Sequence, residues 1–126
     1  MKLILLVDDD MDVIRGEWRL LRQLRPDDTI VCAFDGLSAM ELLDRAPGWS
    51  HPVDIILSDW EMPRMAGHEL ARHVRERFPS LPFVLLSGNP DFQQMADCGA
   101  TTLLAKPFTR EELRATLATL LGEGAA

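Results

Sequence analysis

Apolar residues along the chain follow two alternating rhythms. Short unbroken aliphatic runs occupy residues 2–7 (Lys-Leu-Ile-Leu-Leu-Val), 29–34, 53–59 around Ile55-Ile56-Leu57, 83–86 (Phe-Val-Leu-Leu) and 101–105. Runs of this length without polar alternation read as strands buried on both faces. Between them the period changes to that of a helix. Residues 11–24 carry Ile14, Trp18 and Leu21 at i, i+4 and i+7, with Arg15, Arg19 and Arg22 on the outer face. That spacing places Trp18 in the core or at its edge. A second helix covers 39–43, within 38–45, with Ala39, Leu42 and Leu43 inward. A third spans 68–78, with Leu70, Val74 and Phe78 on one stripe and Arg72, His73, Arg75 and Arg77 solvated. A short helix at 92–98 holds few apolar residues. A last one at 110–121 turns Leu113, Leu117, Leu120 and Leu121 inward.

The breaks fall where this reading needs them. Pro26 stops the first helix, and Asp35-Gly36 is a turn pair. Residues 46–52, with Pro47-Gly48, form a loop that leaves Trp49 and His51 at the surface or partly packed. Pro63 cannot donate to a sheet, so the strand before it has ended, and Gly67 adds a second break. Gly99 suits a helix C-terminal cap, and Thr109-Arg110-Glu111-Glu112 is a capping box. Residues from Gly122 onward are expected to fray. Five strand–helix alternations imply one parallel sheet with helices on both faces. No linker or repeat divides the 126 residues, so 1–126 is expected to be one domain.

Composition narrows the classes of function. A hydrophobic fraction of 47% supports a core, and 26% charged residues argue against disorder. No apolar stretch approaches a membrane span, and the apolar start is too short for a signal peptide before Asp8 intervenes. A net charge of −7 disfavours nucleic acid, whose affinity rests on Lys and Arg. Cys32 and Cys98 lack metal or redox spacing and read as two buried thiols in a reducing cytosol. A cytoplasmic location follows as the expectation. The three histidines never reach metal-ligand spacing.

Chemistry collects at the strand ends. Asp8-Asp9-Asp10 follow the first strand, and helix capping by Asp10 or Asp12 explains one of these carboxylates but not the pair. Asp59 ends the third strand, Ser87 follows the fourth and Lys106 the fifth. All carboxyl ends of a parallel sheet lie on one edge, where open α/β folds place their ligands. Converging carboxylates disfavour joint ionisation unless a cation joins them. Oxygen donors without His or Cys select Mg²⁺ or a similar ion. Lys106 supplies a point charge for a phosphoryl oxygen, and the Ser87 hydroxyl and Gly88 amide supply donors. A carboxylate nucleophile, a metal, a Lys and a hydroxyl make a phosphoryl-transfer pocket.

Over residues 2–121 the chain resembles the receiver domain of bacterial two-component response regulators. The segments that carry the resemblance are Leu-Leu-Val-Asp-Asp-Asp (5–10), Ser-Asp-Trp-Glu-Met-Pro-Arg-Met-Ala-Gly (58–67), Leu-Leu-Ser-Gly (85–88) and Lys-Pro-Phe (106–108). The resemblance implies a flavodoxin-like (βα)5 fold with strand order 2-1-3-4-5. It implies that Asp59 accepts a phosphoryl group from a histidine kinase or histidine phosphotransfer protein. Asp9 would hold Mg²⁺ directly, with Asp59 and the Glu61 backbone carbonyl, and Asp8 largely through water. Ser87 would bond the phosphoryl group, Lys106 would pair with it, and the Lys106–Pro107 bond would be cis.

The readout implied is a change on the face of helix 92–98, strand 101–105 and helix 110–121. An unknown output protein or domain would read that face, and a phosphorylation-dependent homodimer is compatible with it. Nothing in 1–126 reads as an output domain, and Met1 directly before the first strand reads as a true N-terminus. Three positions depart from the family pattern. Ala66 replaces an Asp before the glycine, Ser87 replaces a Thr, and Leu103 stands where many members carry Tyr or Phe. The last puts the aromatic switch of those members in doubt here.

Two other readings compete. Asp8-x-Asp10 echoes the Asp-x-Asp of haloacid-dehalogenase-type enzymes, but 126 residues leave no room for a cap region. A receiver-like module that no longer takes phosphate would not need Asp8, Asp9, Asp59, Ser87 and Lys106 together. The expected activity is therefore that of a signalling phosphoacceptor and not of an enzyme with turnover on a separate substrate.

Overall fold

The computed structural model describes residues 1–45 and 52–122. Five strands and five helices alternate: β1 (Leu3–Val7), α1 (Met11–Leu24), β2 (Thr29–Ala33), α2 (Gly36–Arg45), β3 (Ile55–Asp59), α3 (Gly67–Arg77), β4 (Phe83–Ser87), α4 (Phe92–Cys98), β5 (Thr102–Ala105) and α5 (Arg110–Leu120). All strand pairs are parallel, in the order β2-β1-β3-β4-β5. This is the flavodoxin-like order expected from the sequence.

Alternate residues of each strand serve opposite layers. Leu5, Val7, Ile56, Phe83, Leu85 and Leu103 pack with α2, α3 and α4 through Ala39, Leu43, Leu70, Val74 and Cys98. Ile4, Leu6, Ile55, Leu57, Val84, Leu86 and Leu104 pack with α1 and α5 through Ile14, Leu21, Leu113 and Leu117. The central strands carry unbroken aliphatic runs because both of their faces are covered.

Local signals end the helices as their residues dictate. The Asp10 carboxylate caps α1 by accepting from the backbone N–H groups of Asp12 and Val13. Thr109 and Glu112 close a capping box at α5, and Gly99 ends α4 at φ 82°. The Lys106–Pro107 bond is cis. Below the sheet, Asp28 Oδ1 accepts from Lys2 N at 3.0 Å and Asp54 Oδ2 from Leu3 N at 2.7 Å, which fixes where β1 begins.

The differences from the sequence reading are local. Helix α2 starts at Gly36, three residues early, because Asp35 Oδ1 accepts from Ser38 N at 2.7 Å and turns the chain at once into the helix. β2 stops at Ala33, leaving Phe34 exposed. Trp18 is 40% exposed: the buried stripe of α1 runs through Ile14, Glu17 and Leu21, so the helix is turned toward Glu17, which sits about 100° around the helix from Trp18. Cys32 is half-buried rather than buried, while Cys98 is buried, and both are free thiols. The expected loop at 46–52 with Trp49 and His51 lies outside the described residues except for Pro52, as does the fraying after Gly122. No helix among the described residues is long and apolar enough to cross a membrane.

Candidate functional site

The carboxyl ends of β1, β3, β4 and β5 meet at one edge of the sheet. Register decides this: Val7 pairs with Ser58, Asp59 with Leu86 and Ser87 with Ala105. Asp8, Asp59, Ser87 and Lys106 are therefore the first residues past the paired core, or its last. Asp8, Asp9 and Asp59 each place a carboxylate oxygen within 4.8 Å of the others. Asp8 is buried, Asp59 half-buried and Asp9 exposed, so the cluster opens to solvent on the Asp9 side.

Lys106 reaches across this group. Its Nζ donates to Asp59 Oδ1 at 2.8 Å and lies 3.9 Å from Asp8 Oδ2. Its backbone N–H donates to Ser87 O at 2.7 Å, which ties the start of the β5–α5 loop to the end of β4. Burial by itself favours the neutral amine, but the bond to Asp59 and the charges of Asp59, Glu17 and Asp8 outweigh it, and the ammonium is held more firmly than in water. The Asp8 carboxyl moves up. Burial is the main cause, the Asp10 N–H opposes it, the charge of Asp59 adds to it, Lys106 opposes it, and Asp9 adds to it. Asp8 Oδ1 accepts from Asp10 N at 2.9 Å, whereas Oδ2 is buried without a hydrogen-bond partner. A buried acceptor left open beside two more carboxylates is the environment a hard cation relieves. The three oxygen donors fit Mg²⁺.

The loop from Trp60 to Ala66 is built to hold Asp59 still. Trp60 N donates to Leu86 O at 2.9 Å, and Gly67 N to Trp60 O at 2.7 Å. A Cβ at Gly67 would lie 2.2 Å from the Asp59 carbonyl oxygen and 2.9 Å from Trp60 Cα, so no other residue lets α3 start this close to the site. Arg64 carries the turn at φ 67°, and buried Met62 anchors the loop to the core. Ala66 supplies no side-chain acceptor to α3; only Glu69 Oε1 works at that end, accepting from Ala66 N at 3.2 Å.

Ser87 is buried, and its Oγ accepts from Asn89 N at 3.0 Å. The structure thus brings Asp8, Asp9, Asp59 and Lys106 together and places Ser87 on the neighbouring strand end. Glu61 follows on the same loop with its side chain exposed. Leu103 is buried among the residues facing α4.

The sequence reading missed Glu17. It lies on the inner face of α1 at 9% exposure, with Oε1 buried and unpartnered. Its carboxyl is pushed up to about 7, chiefly by burial; Lys106 opposes this, and Asp8 and Asp59 add to it. The available signal was its spacing, three residues after Ile14 and four before Leu21. The competing Trp18 stripe contained no charge and hid it.

Comparison with known proteins agrees with this geometry. The family model described as the response regulator receiver domain matches residues 4–118. A chemotaxis protein CheY homolog of Campylobacter jejuni is 33% identical, covering 98% of each chain. The structure of chemotaxis protein CheY4 of Vibrio cholerae superposes with a TM-score of 0.81 at 30% identity, covering 95% of this chain and 98% of that one. The receiver domain of a Pseudomonas aeruginosa sensor histidine kinase, described with a magnesium ion coordinated in its active-site cleft, superposes with a TM-score of 0.83 at 28% identity, covering 96% and 98%.

Proposed function

Because the chain belongs to the response regulator receiver domain family, we propose that it is a phosphorylatable switch in which Asp59 takes a phosphoryl group from a histidine kinase or histidine phosphotransfer protein. The observation that carries this reading is the 2.8 Å contact of Lys106 Nζ with Asp59 Oδ1 inside a cluster of three carboxylates.

An Asp59 oxygen attacks phosphorus, the bond from phosphorus to the donor nitrogen breaks, and an acyl phosphate remains on the protein. Lys106 passes from the carboxylate to a phosphoryl oxygen and pairs with it as a point charge. The Ser87 hydroxyl turns from Asn89 to donate to the same group. Asp9, Asp59 and the Glu61 carbonyl would hold Mg²⁺ directly, with Asp8 acting largely through water. The metal, when bound, supplies positive charge opposite the transferring oxygens. Residues 1–126 serve as one receiver unit. Its output is read on the α4–β5–α5 face by a partner or domain of unspecified kind, with a phosphorylation-dependent homodimer as one form.

The test is labelling by acetyl phosphate with millimolar Mg²⁺, followed by phosphate-affinity electrophoresis. Wild type should shift and Asp59→Asn should not. Full labelling of Asp59→Asn would place the acceptor elsewhere, and an unlabelled wild type would leave the receiver-like interaction module as the better reading.

A further inference from the structure

Helix α1 carries a surface that the phosphoryl chemistry above does not use. Met11, Trp18 and Phe34 are large apolar residues left exposed, and all three line one groove of about 230 Å³ between α1 and β2 with the residue that follows it. Ile14, Arg15 and Cys32 complete its walls. On α1 the lining positions 11, 14, 15 and 18 fall at i, i+3, i+4 and i+7. They form one stripe over two turns, about 10 Å long at the helical rise. β2 is an edge strand, at the opposite end of the sheet from β5, so the groove lies away from the α4–β5–α5 face. Exposed apolar side chains gathered in one concave strip and rimmed by charge are the form of a protein-docking site.

Charge decides the occupant. The chain as a whole is acidic, at −7, yet Arg15, Arg19 and Arg22 are exposed along the solvent side of this stripe. Arg22 lies over the Trp18 ring at 5.8 Å. Among the described residues Arg15 and Arg19 form no ion pair. A second copy docked here would bring the arginines of both chains together across a two-fold axis, with Asp12 of each as the one acid on the same helix face, and like-charge repulsion disfavours that. An acidic partner meets no such opposition. We propose that the α1–β2 groove docks an acidic amphipathic helix of another protein. Its apolar residues at i, i+3, i+4 and i+7 lie against Met11, Trp18 and Phe34, and its flanking Glu or Asp residues pair with Arg15 and Arg19. Ridges at helical spacing on α1 suit a helix laid alongside. Trp and Arg dominate contacts of this kind, and the flexible Met11 adapts to the side chain that enters.

Magnetic-resonance titration of the isotope-labelled whole chain with synthetic helices of about 18 residues, long enough to be helical in water, tests this. One peptide carries a Leu stripe flanked by Glu, the other the same stripe flanked by Lys. The Glu peptide should bind saturably, with shift changes centred on residues 11–18 and 32–34, and about tenfold more tightly than the Lys peptide. Trp18→Ala should weaken the Glu peptide by about tenfold or more. The paired change Arg15→Glu and Arg19→Glu, at two exposed positions, should invert the preference between the peptides, and it serves where the Trp18 truncation disturbs folding. Equal affinity for both peptides, no saturable binding, or shift changes centred on α4, β5 and α5 would overturn the proposal. A Trp18-dependent dimer of the chain alone in sedimentation would overturn it in favour of a second copy. Trp18-dependent binding to phosphatidylserine vesicles with no binding of the Glu peptide would overturn it in favour of a lipid surface.

Discussion

At the scale of single residues, the site depends on charges placed where burial amplifies them. Asp59 bears on Asp8, Glu17 and Lys106 alike, and Lys106 bears on both carboxyls, so none titrates alone. Glu17 has a consequence for stability without any metal. Its carboxyl rises from 4.5 to about 7 on folding, so the folded state keeps a proton that the unfolded chain has already lost. The contribution is fully present below pH 4.5 and lost as pH rises to 7, a swing on the order of 3 kcal/mol. Glu17→Leu removes it. Urea unfolding with a chelator present should show the advantage of Glu17→Leu over wild type growing from pH 5 to pH 8; an advantage equal at both would mean Glu17 does not titrate in this range. Asp28 behaves oppositely. Burial raises its carboxyl, but the Lys2 N–H and the Arg25 guanidinium outweigh this, and the net shift is downward. That contribution is present at neutral pH and fades in acid.

At the scale of elements, each helix start is a separate small problem in satisfying backbone N–H groups. Asp10, Asp91 and Thr109 solve it with side-chain oxygens at α1, α4 and α5. Ala66 does not, although its backbone at φ −67°, ψ 159° already has the conformation a cap needs. The substitution noted in the sequence costs this helix an acceptor next to the loop that follows Asp59. Ala66→Asp should stabilise the protein by about 1 kcal/mol in chemical denaturation. No gain would mean the extra charge, close to Asp59, offsets the cap. Helix α4 lies at the other extreme. It has seven residues, one of them, Cys98, buried, while Phe92 is 61% exposed. Its weak anchorage is the kind from which moving elements are drawn. Hydrogen exchange with and without beryllofluoride should change mainly in residues 86–105. Changes concentrated in α1 and α2 would overturn the proposed output face. Leu103 offers no hydroxyl to expose or withdraw, so the proposed response would run through loop and helix displacement.

At the scale of the whole molecule, the parallel sheet places like charges together at one edge, and the core holds them there. Such a site adds repulsion to the folded state, and a ligand bound only by that state relieves it, adding about 2.7 kcal/mol at a hundredfold over its dissociation constant. Thermal melts should therefore rise with millimolar Mg²⁺ and rise much less in Asp9→Ala, which leaves the buried core untouched; equal responses would remove Asp9 from the proposed metal site. The element order and the gathering of Asp8, Asp9, Asp59 and Lys106 at one sheet edge, with Ser87 beside them, were legible in the sequence. Unbroken aliphatic runs, breakers and strand-terminal polar residues are local signals, and the parallel edge brings their ends together whatever the details of packing. The α1 register was not legible. Two stripes were available, one through Trp18 and one through Glu17, and composition alone favours the aromatic one. The tertiary structure turned Glu17 inward and left Trp18 40% exposed. The orientation of a helix follows from the sum of its contacts with the sheet and with α5, and the Lys106 charge that bears on a buried carboxyl comes from a strand end 89 residues away in sequence (106 − 17).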